Sequence, residues 1–501
     1  MFYEKNIATL KQFYPHLYET LKDIPTQNLT IHNSRTNNPT LSIKNKNKEI
    51  FLHSKYDPKK EAQRQLSSQQ LNPGNKVILF GCGLGYLIPE ILSAILPKGN
   101  LIIIEPNYAV FKMALKLIDF RSFLSSPNIV FIVSDKLEII SHNLCQILKN
   151  SSSDTKVIIH QPTLEIIPAS LANIEELLKN IILSRKSSKV FASTLAKNLN
   201  LNIKYIIKSI GIKNLFNKYL NLPIFVISAG PSLDNCTNYL SRIQEYAILI
   251  SVGTALSPLL NNKITPDFVV ITDCQEFVFN QFSNHLNKKI PLIFIPTAYP
   301  KVIEQYQGTK IIALIKDEFF SKNLVDLRQL KGEIETGGSV ATASLDIAIR
   351  MGGNPIIFIG QDLSYPSQKT HAQDTYQAEQ NLNNLNKFNT LEMIYRENLN
   401  RGNLIEVTSA CKETNITHRN LLIYLRWIEN RIRKEKNKTF INTSTIGAKI
   451  KGTLDLDLRE INNHYCQKKI NKSIKLPSPI INSTQYNKWK DALQEYIREN
   501  L

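Results

Sequence analysis

Several protein classes are excluded by what this sequence lacks. Its six cysteines (Cys82, Cys145, Cys236, Cys274, Cys411 and Cys466) form no CxxC pair, and only lone histidines, His142 and His464, stand near any of them. Neither a zinc site nor a disulfide framework is therefore expected, and the scattered thiols read as buried and reduced, as in a cytoplasmic protein. No apolar run reaches the roughly 18 residues needed to span a bilayer. The most apolar stretch, Val77 to Ile104, is broken by Pro89, Glu90, Pro97, Lys98 and Gly99. The N-terminal MFYEKNIATLKQFYPHLYETLKD carries charge throughout and has no apolar signal-peptide core, so stable membrane insertion and export are not expected. The phosphate-loop pattern GxxxxGK[ST] is absent, which disfavours ATP held in that manner. Aromatic residues do not interleave with basic ones in a stacking pattern, which argues against nucleic acid.

What is present is ordinary globular material with a strong basic excess. The chain has 501 residues, 43% hydrophobic and 21% charged, enough for two or three domains with substantial cores. Lys and Arg total 61 against 42 acidic residues, giving a formal charge of +19. Most of that excess sits in Lys/Asn-rich segments such as RWIENRIRKEKNK and CQKKINKSIK, as an AT-rich coding sequence produces, and not in the loops discussed below. It is read as background, with weak, salt-screened attraction for acidic surfaces.

The pattern along the chain predicts an α/β protein of two Rossmann-like parallel-sheet modules followed by a C-terminal helical domain. Residues 1–70 read as a small, loosely specified N-terminal element. Over 71–190, KVILFGCGLGYLIPEIL and NLIIIEPN give strand, glycine turn, helix and strand, and NIVFIVS and KVIIH continue the alternation. Residues 171–220 look helical and bridge to a central module over 191–385. Its strands are the β-branched runs at 223–228, 247–253, 267–273, 291–296, 310–315 and 355–360. Residues 386–501 turn polar and helical.

Two sets of residues carry candidate chemistry. In the first module Gly81, Gly83 and Gly85 sit between a strand and a helix, with Glu105 at the end of the next strand. That is the arrangement that lets backbone approach a nucleotide while a carboxylate takes the ribose diol, as in motif I of S-adenosylmethionine methyltransferases. The bland alternative is a tight turn with Glu105 capping a loop.

In the central module polar residues collect at strand C-termini, where ligands lie in open parallel sheets. Gly230, Pro231 and Ser232 follow the first strand, Thr254 the second, and Thr272 and Asp273 end the third. Thr336, Gly337, Gly338 and Ser339 precede the helix-like VATASLDIAIRMG, and Gln361 and Asp362 follow the last strand. The 230–232 and 336–339 loops are expected to offer N–H groups at helix starts, which suits phosphate. No Asp-x-Asp pair stands at these strand ends. Asp455-Leu456-Asp457 lies in the tail and reads as a turn, so no metal site is expected.

These segments resemble one known family. PIFVISAGPSLDN, the Pro266-Asp267-Phe268 entry to a strand, ETGGSVATASLDIAIRMG and IGQDLSYPSQKTHA occur in the order found in the motility-associated factor (Maf) flagellin glycosyltransferases, and GCGLGYLIPE with IIIEPN fits that family's first domain. The resemblance covers about 70–450 and implies a sialyltransferase-like central module. It further implies transfer of a nonulosonic acid (pseudaminic, legionaminic or sialic-like) from a CMP-sugar to Ser or Thr of flagellin, in support of filament assembly and motility. On that basis Gly230, Ser232, Thr336, Gly337 and Ser339 serve the nucleotide. Asp273 and Asp362 orient donor hydroxyls or act as base, and His371 acts as general base or contacts phosphate. No resident cofactor or metal is implied. The segment Ser364-Tyr365-Pro366-Ser367 departs from the Ala/Gly character common in the family. The alternatives are a pterin-type pyrophosphokinase relative, a methyltransferase on Gly81–Gly85, and a non-catalytic flagellar assembly factor.

Overall fold

The structure, a computed structural model, describes residues 2–45, 48–67, 69–136, 139–140, 143, 155–167, 171, 193–316, 322–387, 389–400, 404–473, 476–477 and 480–500. The chain forms two compact units, Met1–Val190 and Phe191–Leu501.

In the first unit two helices (Phe2–Phe13 and Pro15–Lys22) precede an antiparallel meander of β1 (Leu29–Asn33), β2 (Pro39–Asn45) and β3 (Lys48–Phe51). A parallel sheet follows, formed by β4 (Lys76–Phe80), β5 (Asn100–Glu105), β6 (Ile129–Val133) and β7 (Thr155–Ile159) in the order β6-β5-β4-β7. Strands covered on both faces need apolar side chains on both, which is why KVILF and NLIIIE read as near-continuous apolar runs. The first 70 residues are not loosely specified. Leu10, Leu21, Leu41 and Ile50 share one core with Leu79, Ile103 and Phe111. Asn6 ties the first helix down: its buried amide donates to the carbonyls of Leu115 and Ile118, both at 2.7 Å, and accepts from the Phe120 N–H at 2.9 Å.

The second unit is built on a nine-stranded, all-parallel sheet. Its strands in chain order are β8 (Ile210–Gly211), β9 (Ile224–Ile227), β10 (Ile248–Val252), β11 (Phe268–Ile271), β12 (Leu292–Phe294) and β13 (Lys310–Ile312). After the small pair β14 (Leu314–Ile315) and β15 (Glu333–Ile334) comes β16 (Ile356–Ile359), then the hairpin β17 (Leu404–Thr408) and β18 (Thr414–His418). Finally β19 (Phe440–Asn442) and β20 (Leu454–Asp455) complete the order β20-β19-β16-β9-β10-β11-β12-β13-β8. All six expected strands are present. The C-terminal region is largely helical, as expected, but it also lends β19 and β20 to the sheet. Its helix Arg419–Arg433 places Leu425, Ile428 and Ile432 in the same core as Val226 and Ile356. A helix over 193–208 accounts for the described part of the expected bridge, whose residues 172–192 lie outside the described set.

Cys82, Cys236 and Cys466 are buried and free, as expected, whereas Cys274 is half-buried and Cys411 exposed; Cys145 lies outside the described residues. No described helix is long and apolar enough to cross a membrane.

Candidate functional site

Strand order reverses between β9 and β16: β10 to β13 run to one side of β9, and β16, β19 and β20 to the other. Loops leaving the C-terminal ends of β9 and β16 must diverge there, and the gap between them is where open α/β sheets hold ligands. A cavity of about 220 Å³ occupies that position. It is lined by Ser228–Gly230 after β9, Thr254 after β10, Ser339–Ala341, Gly360–Ser364 after β16, Thr370 and His371, and Leu421 and Tyr424 from the helix Arg419–Arg433. Of the residues expected from the sequence, Gly230, Thr254, Ser339, Gln361, Asp362 and His371 meet here. Pro231, Ser232, Thr272, Asp273 and Thr336–Gly338 belong to the adjoining turns.

Asp362 holds the floor of this site. Its Oδ2 accepts the Ser232 N–H at 2.8 Å and its Oδ1 accepts the Ser444 hydroxyl at 2.5 Å, while its backbone carbonyl accepts the Ala448 N–H at 2.7 Å. Glycine is required at 230 by close approach: a Cβ there would lie 2.5 Å from Asp362 Oδ2 and from the Gly360 carbonyl. The Gly-Pro-Ser turn thus differs from expectation. It opens a short 3-10 turn, Pro231–Asn235, and the Ser232 N–H is taken by Asp362 and not left for phosphate. The Ser232 hydroxyl is buried without a protein partner. After Asp362 the backbone is left-handed at Leu363 (φ 52°), Ser367 (φ 50°) and Gln368 (φ 63°), a conformation that costs energy without glycine. Two side chains hold this loop: the Tyr365 hydroxyl meets His418 Nδ1 at 2.9 Å, and the Thr417 hydroxyl donates to the Leu363 carbonyl at 2.8 Å.

The 336–339 turn is also more self-satisfied than expected. The N–H groups of Gly337 and Ser339 go to Thr342 Oγ1, at 3.0 and 3.1 Å, and that of Gly338 goes to Thr336 Oγ1 at 3.2 Å. Ser339 and Thr342 form a capping box on the helix Val340–Arg350. What remains for a ligand is the first helical turn, where the N–H groups of Val340 and Ala341 precede any intrahelical acceptor and both residues line the cavity.

One face of the helix Arg419–Arg433 builds the opposite wall, with residues three to four apart as helical geometry demands. Leu421 and Tyr424 line the cavity, Trp427 packs where a Cβ on Gly337 would lie 2.5 Å from its ring, and Arg431 Nε reaches buried Asp346 Oδ1 at 2.8 Å. Asp346 Oδ2 in turn accepts the Glu335 N–H at 2.8 Å, fixing the entry to the glycine turn. From the sequence this stretch is expected only to be polar and helical. The apolar stripe in RNLLIYLRWIENRIR was visible, but not the surface it covers.

The titratable groups have distinct settings. His371 lines the cavity with its Nδ1 3.1 Å from the Thr370 hydroxyl. It is not a solvated loop imidazole: burial lowers its pKa from 6.5 to about 4, so it is neutral at pH 7. Burial raises the Asp273 carboxyl above its ordinary value. Tyr424 is raised by burial first and by the Asp273 charge second, which places these two groups within electrostatic reach. Among the described residues no group of three His, Cys, Asp or Glu side chains is disposed to hold a metal ion. Asp457 of the tail pair is the N-cap of the helix Leu458–Tyr465.

In the first unit the glycine turn is closed by the protein itself. Glu105 is fully buried and points inward: Oε2 accepts the N–H groups of Cys82 (2.9 Å) and Gly83 (3.2 Å), and Oε1 accepts that of Asn107 (3.1 Å). A Cβ at Gly81 would lie 2.3 Å from Thr163 Oγ1, and one at Gly83 2.5 Å from His53 Nε2. The cradle expected for a second nucleotide is filled by these side chains. Glu105→Ala would strand three N–H groups, at roughly 1–3 kcal/mol for each buried one. A lowered thermal midpoint by calorimetry is the expected result. Loss of S-adenosylmethionine or nucleotide binding at unchanged stability would instead make Glu105 a ligand-facing group. Burial pushes this carboxyl from 4.5 up to about 7. The folded state then keeps a proton that the unfolded chain has released, so the Glu105 contribution is full below pH 4.5 and is lost as pH rises through 7.

Comparisons with known proteins agree with this division. Residues 39–154 match the glycosyltransferase Maf N-terminal domain, and residues 197–368 match the 6-hydroxymethylpterin diphosphokinase MptE-like family. A solved structure titled as a Maf glycosyltransferase from Magnetospirillum magneticum AMB-1 shares the fold, with a TM-score of 0.55 and 15% identity over 100% of this chain and 78% of that one. An uncharacterized protein of Treponema pallidum (strain Nichols) is 22% identical over 336 residues, 64% of this chain and 58% of that protein. The matched region thus spans less than two thirds of the length of that curated relative.

Proposed function

We propose, from the premise that this chain carries a Maf N-terminal domain on the Maf glycosyltransferase fold, that the switch-point cavity transfers a nonulosonic acid from a CMP-sugar to Ser or Thr of flagellin, without a metal. The observation that carries the proposal is the convergence of the β9, β10 and β16 end loops, a helix start and a neutral histidine on one cavity. Breaking the bond from anomeric carbon to phosphate oxygen leaves negative charge on the departing CMP. The N–H groups of Val340 and Ala341 and the helix dipole behind them would stabilise that charge. The acceptor hydroxyl must lose a proton as it attacks, and His371 or Asp273 would receive it. Flagellin glycosylation, carried out in the cytoplasm, would then serve filament assembly and motility.

The MptE-like match favours a second reading, pyrophosphoryl transfer from ATP. Such a site would call for a second acid beside Asp273. The nearest in sequence, Glu276, interacts instead with the Tyr299 hydroxyl.

Titration calorimetry separates the two readings. CMP is expected to bind with micromolar Kd, and ATP with Mg²⁺ more weakly. Ala341→Glu places a carboxylate in the first turn, where it suits the helix dipole but repels phosphate. It should leave the fold intact and weaken CMP at least about tenfold, equivalent to ~1.4 kcal/mol. Tight ATP–Mg²⁺ binding without CMP binding favours the kinase reading. Flagellin mass that is identical in cells with and without the gene would remove the glycosylation role.

A further inference from the structure

A second cleft, of about 600 Å³, opens beside the loop that leaves β11. Its lining begins at Cys274, the residue after Asp273, and includes Lys197 from the helix over 193–208 and Tyr299 and Lys301 after β12. We propose that this cleft receives the acceptor polypeptide in extended form, with Lys197 and Lys301 facing an acidic side chain next to the acceptor hydroxyl. The inference rests on the glycosyl-transfer reading and supplies the substrate class that the first cavity does not accommodate.

Three observations support it. The first is room: at about 220 Å³ the switch-point cavity encloses no more than part of a nucleotide-sugar, so a polypeptide must be received outside it. Continuity is the second. The Asp273 carbonyl accepts the Tyr299 N–H at 2.9 Å, so one residue fixes a wall of the cleft while its side chain lies within electrostatic reach of Tyr424 in the cavity. Asn198 and Asn202 make that wall rigid. The Asn198 amide donates to the Cys274 and Thr297 carbonyls at 2.8 and 3.1 Å, and that of Asn202 donates to Pro296 and Ala298 at 2.9 and 2.8 Å. Both asparagines are nearly fully buried, and each spends its donors on a loop at a strand end. The third observation is charge. Of the acids lining the cleft, Glu304 is paired with Lys204 at 3.5 Å and Glu276 interacts with Tyr299. Among the described residues Lys197 and Lys301 form no ion pair; Lys301 rests over the Phe279 ring at 4.4 Å. Glu276 keeps its charge, so with Lys204 the cleft sets three cations against two carboxylates, a net positive charge that favours a carboxylate on the ligand.

The test uses the full chain and fluorescein-labelled ten-residue Ser/Thr peptides flanked either by Asp/Glu or by Gln, with binding read by fluorescence anisotropy. The acidic peptide is expected to bind at least fivefold more tightly. Combined Lys197→Glu and Lys301→Glu should weaken it at least tenfold and leave CMP binding within twofold. A matched reversal at exposed Lys263, before β11, should change nothing, which separates the cleft from the chain's general positive charge. Equal affinity for both peptides, or equal losses from the Lys263 reversal, would overturn the proposal. Peptide binding that depends on the two lysines in a chain that does not bind CMP would instead leave the cleft standing and remove the glycosyl-transfer reading.

Discussion

Replacing Asp362 by alanine is expected to unfold the floor of the switch-point site and to lower the stability of the second unit by about 2–5 kcal/mol, since buried donors left without acceptors cost roughly 1–3 kcal/mol each. Two donors lose their partner at once, the Ser232 N–H and the Ser444 hydroxyl, and both residues are nearly fully buried. The Ser444 oxygen also accepts the Gly447 N–H at 3.0 Å, so the loss extends into the loop after β19. CMP binding should fall with stability, because Gly230 sits against the same carboxylate. Asp362→Asn separates scaffold from chemistry. An amide oxygen turned to Ser232 keeps that acceptor, and the amide nitrogen can donate to Ser444, whose hydroxyl both donates and accepts. The asparagine variant should therefore melt within a few degrees of the parent and retain CMP. If it also turns over normally, Asp362 is a positioning residue. If it folds and binds but is inactive, the carboxylate takes part in the reaction. An alanine variant as stable as the parent would refute the scaffold account.

This double role shows where sequence reading stops. The position of Asp362 after the last strand of a parallel sheet was legible, because β-branched runs ending in Gly, Ser and Asp mark strand termini wherever they occur. The reversal of strand order that makes one crevice of these ends depends on which strands pair, and no local pattern in the sequence encodes that. What could not be read is the direction in which each polar side chain points. Glu105, at the end of β5, turns inward onto its own glycine turn, where His53, from the loop after β3, fills the space beside Gly83 and accepts the Leu84 N–H at 2.8 Å. That neighbour lies thirty residues earlier in the chain, in a region whose polar composition hid its place in the core. Likewise β19 and β20 have only three and two residues. Strands that short carry no periodicity, so their addition to the sheet is decided by packing alone. The helix Arg419–Arg433 was plain as an element, but the wall it builds depends on Gly337 leaving room for Trp427.

His371→Gln is expected to lower turnover by about 10²–10⁴-fold, the range for losing a positioned general base, while CMP binding changes little. The imidazole is neutral because burial holds its pKa near 4. An acceptor proton can therefore be taken at neutral pH without first clearing the ring. The profile of kcat/KM, which reports the free enzyme, should stay level from pH 7 to about 5 and drop on an acid limb near 4, well below the 6.5 of an ordinary histidine. Bound donor changes this, since an anionic phosphate in the cavity favours imidazolium. The acid limb of kcat should then lie higher than that of kcat/KM, bringing the base closer to the working pH. Stability follows the same sign. The unfolded ring takes a proton below 6.5 but the folded ring only near 4, so the contribution of His371 is full above 6.5 and is lost as pH falls through 4. Asp273 is the competing base, and its burial raises rather than lowers its carboxyl pKa. Its limb would come from a carboxyl raised by burial, so an acid limb alone does not say which of the two groups is the base. The variants do: the acid limb should disappear with His371→Gln and persist in Asp273→Asn. The reverse pattern would transfer the role of base to Asp273, the residue that joins the cavity to the cleft.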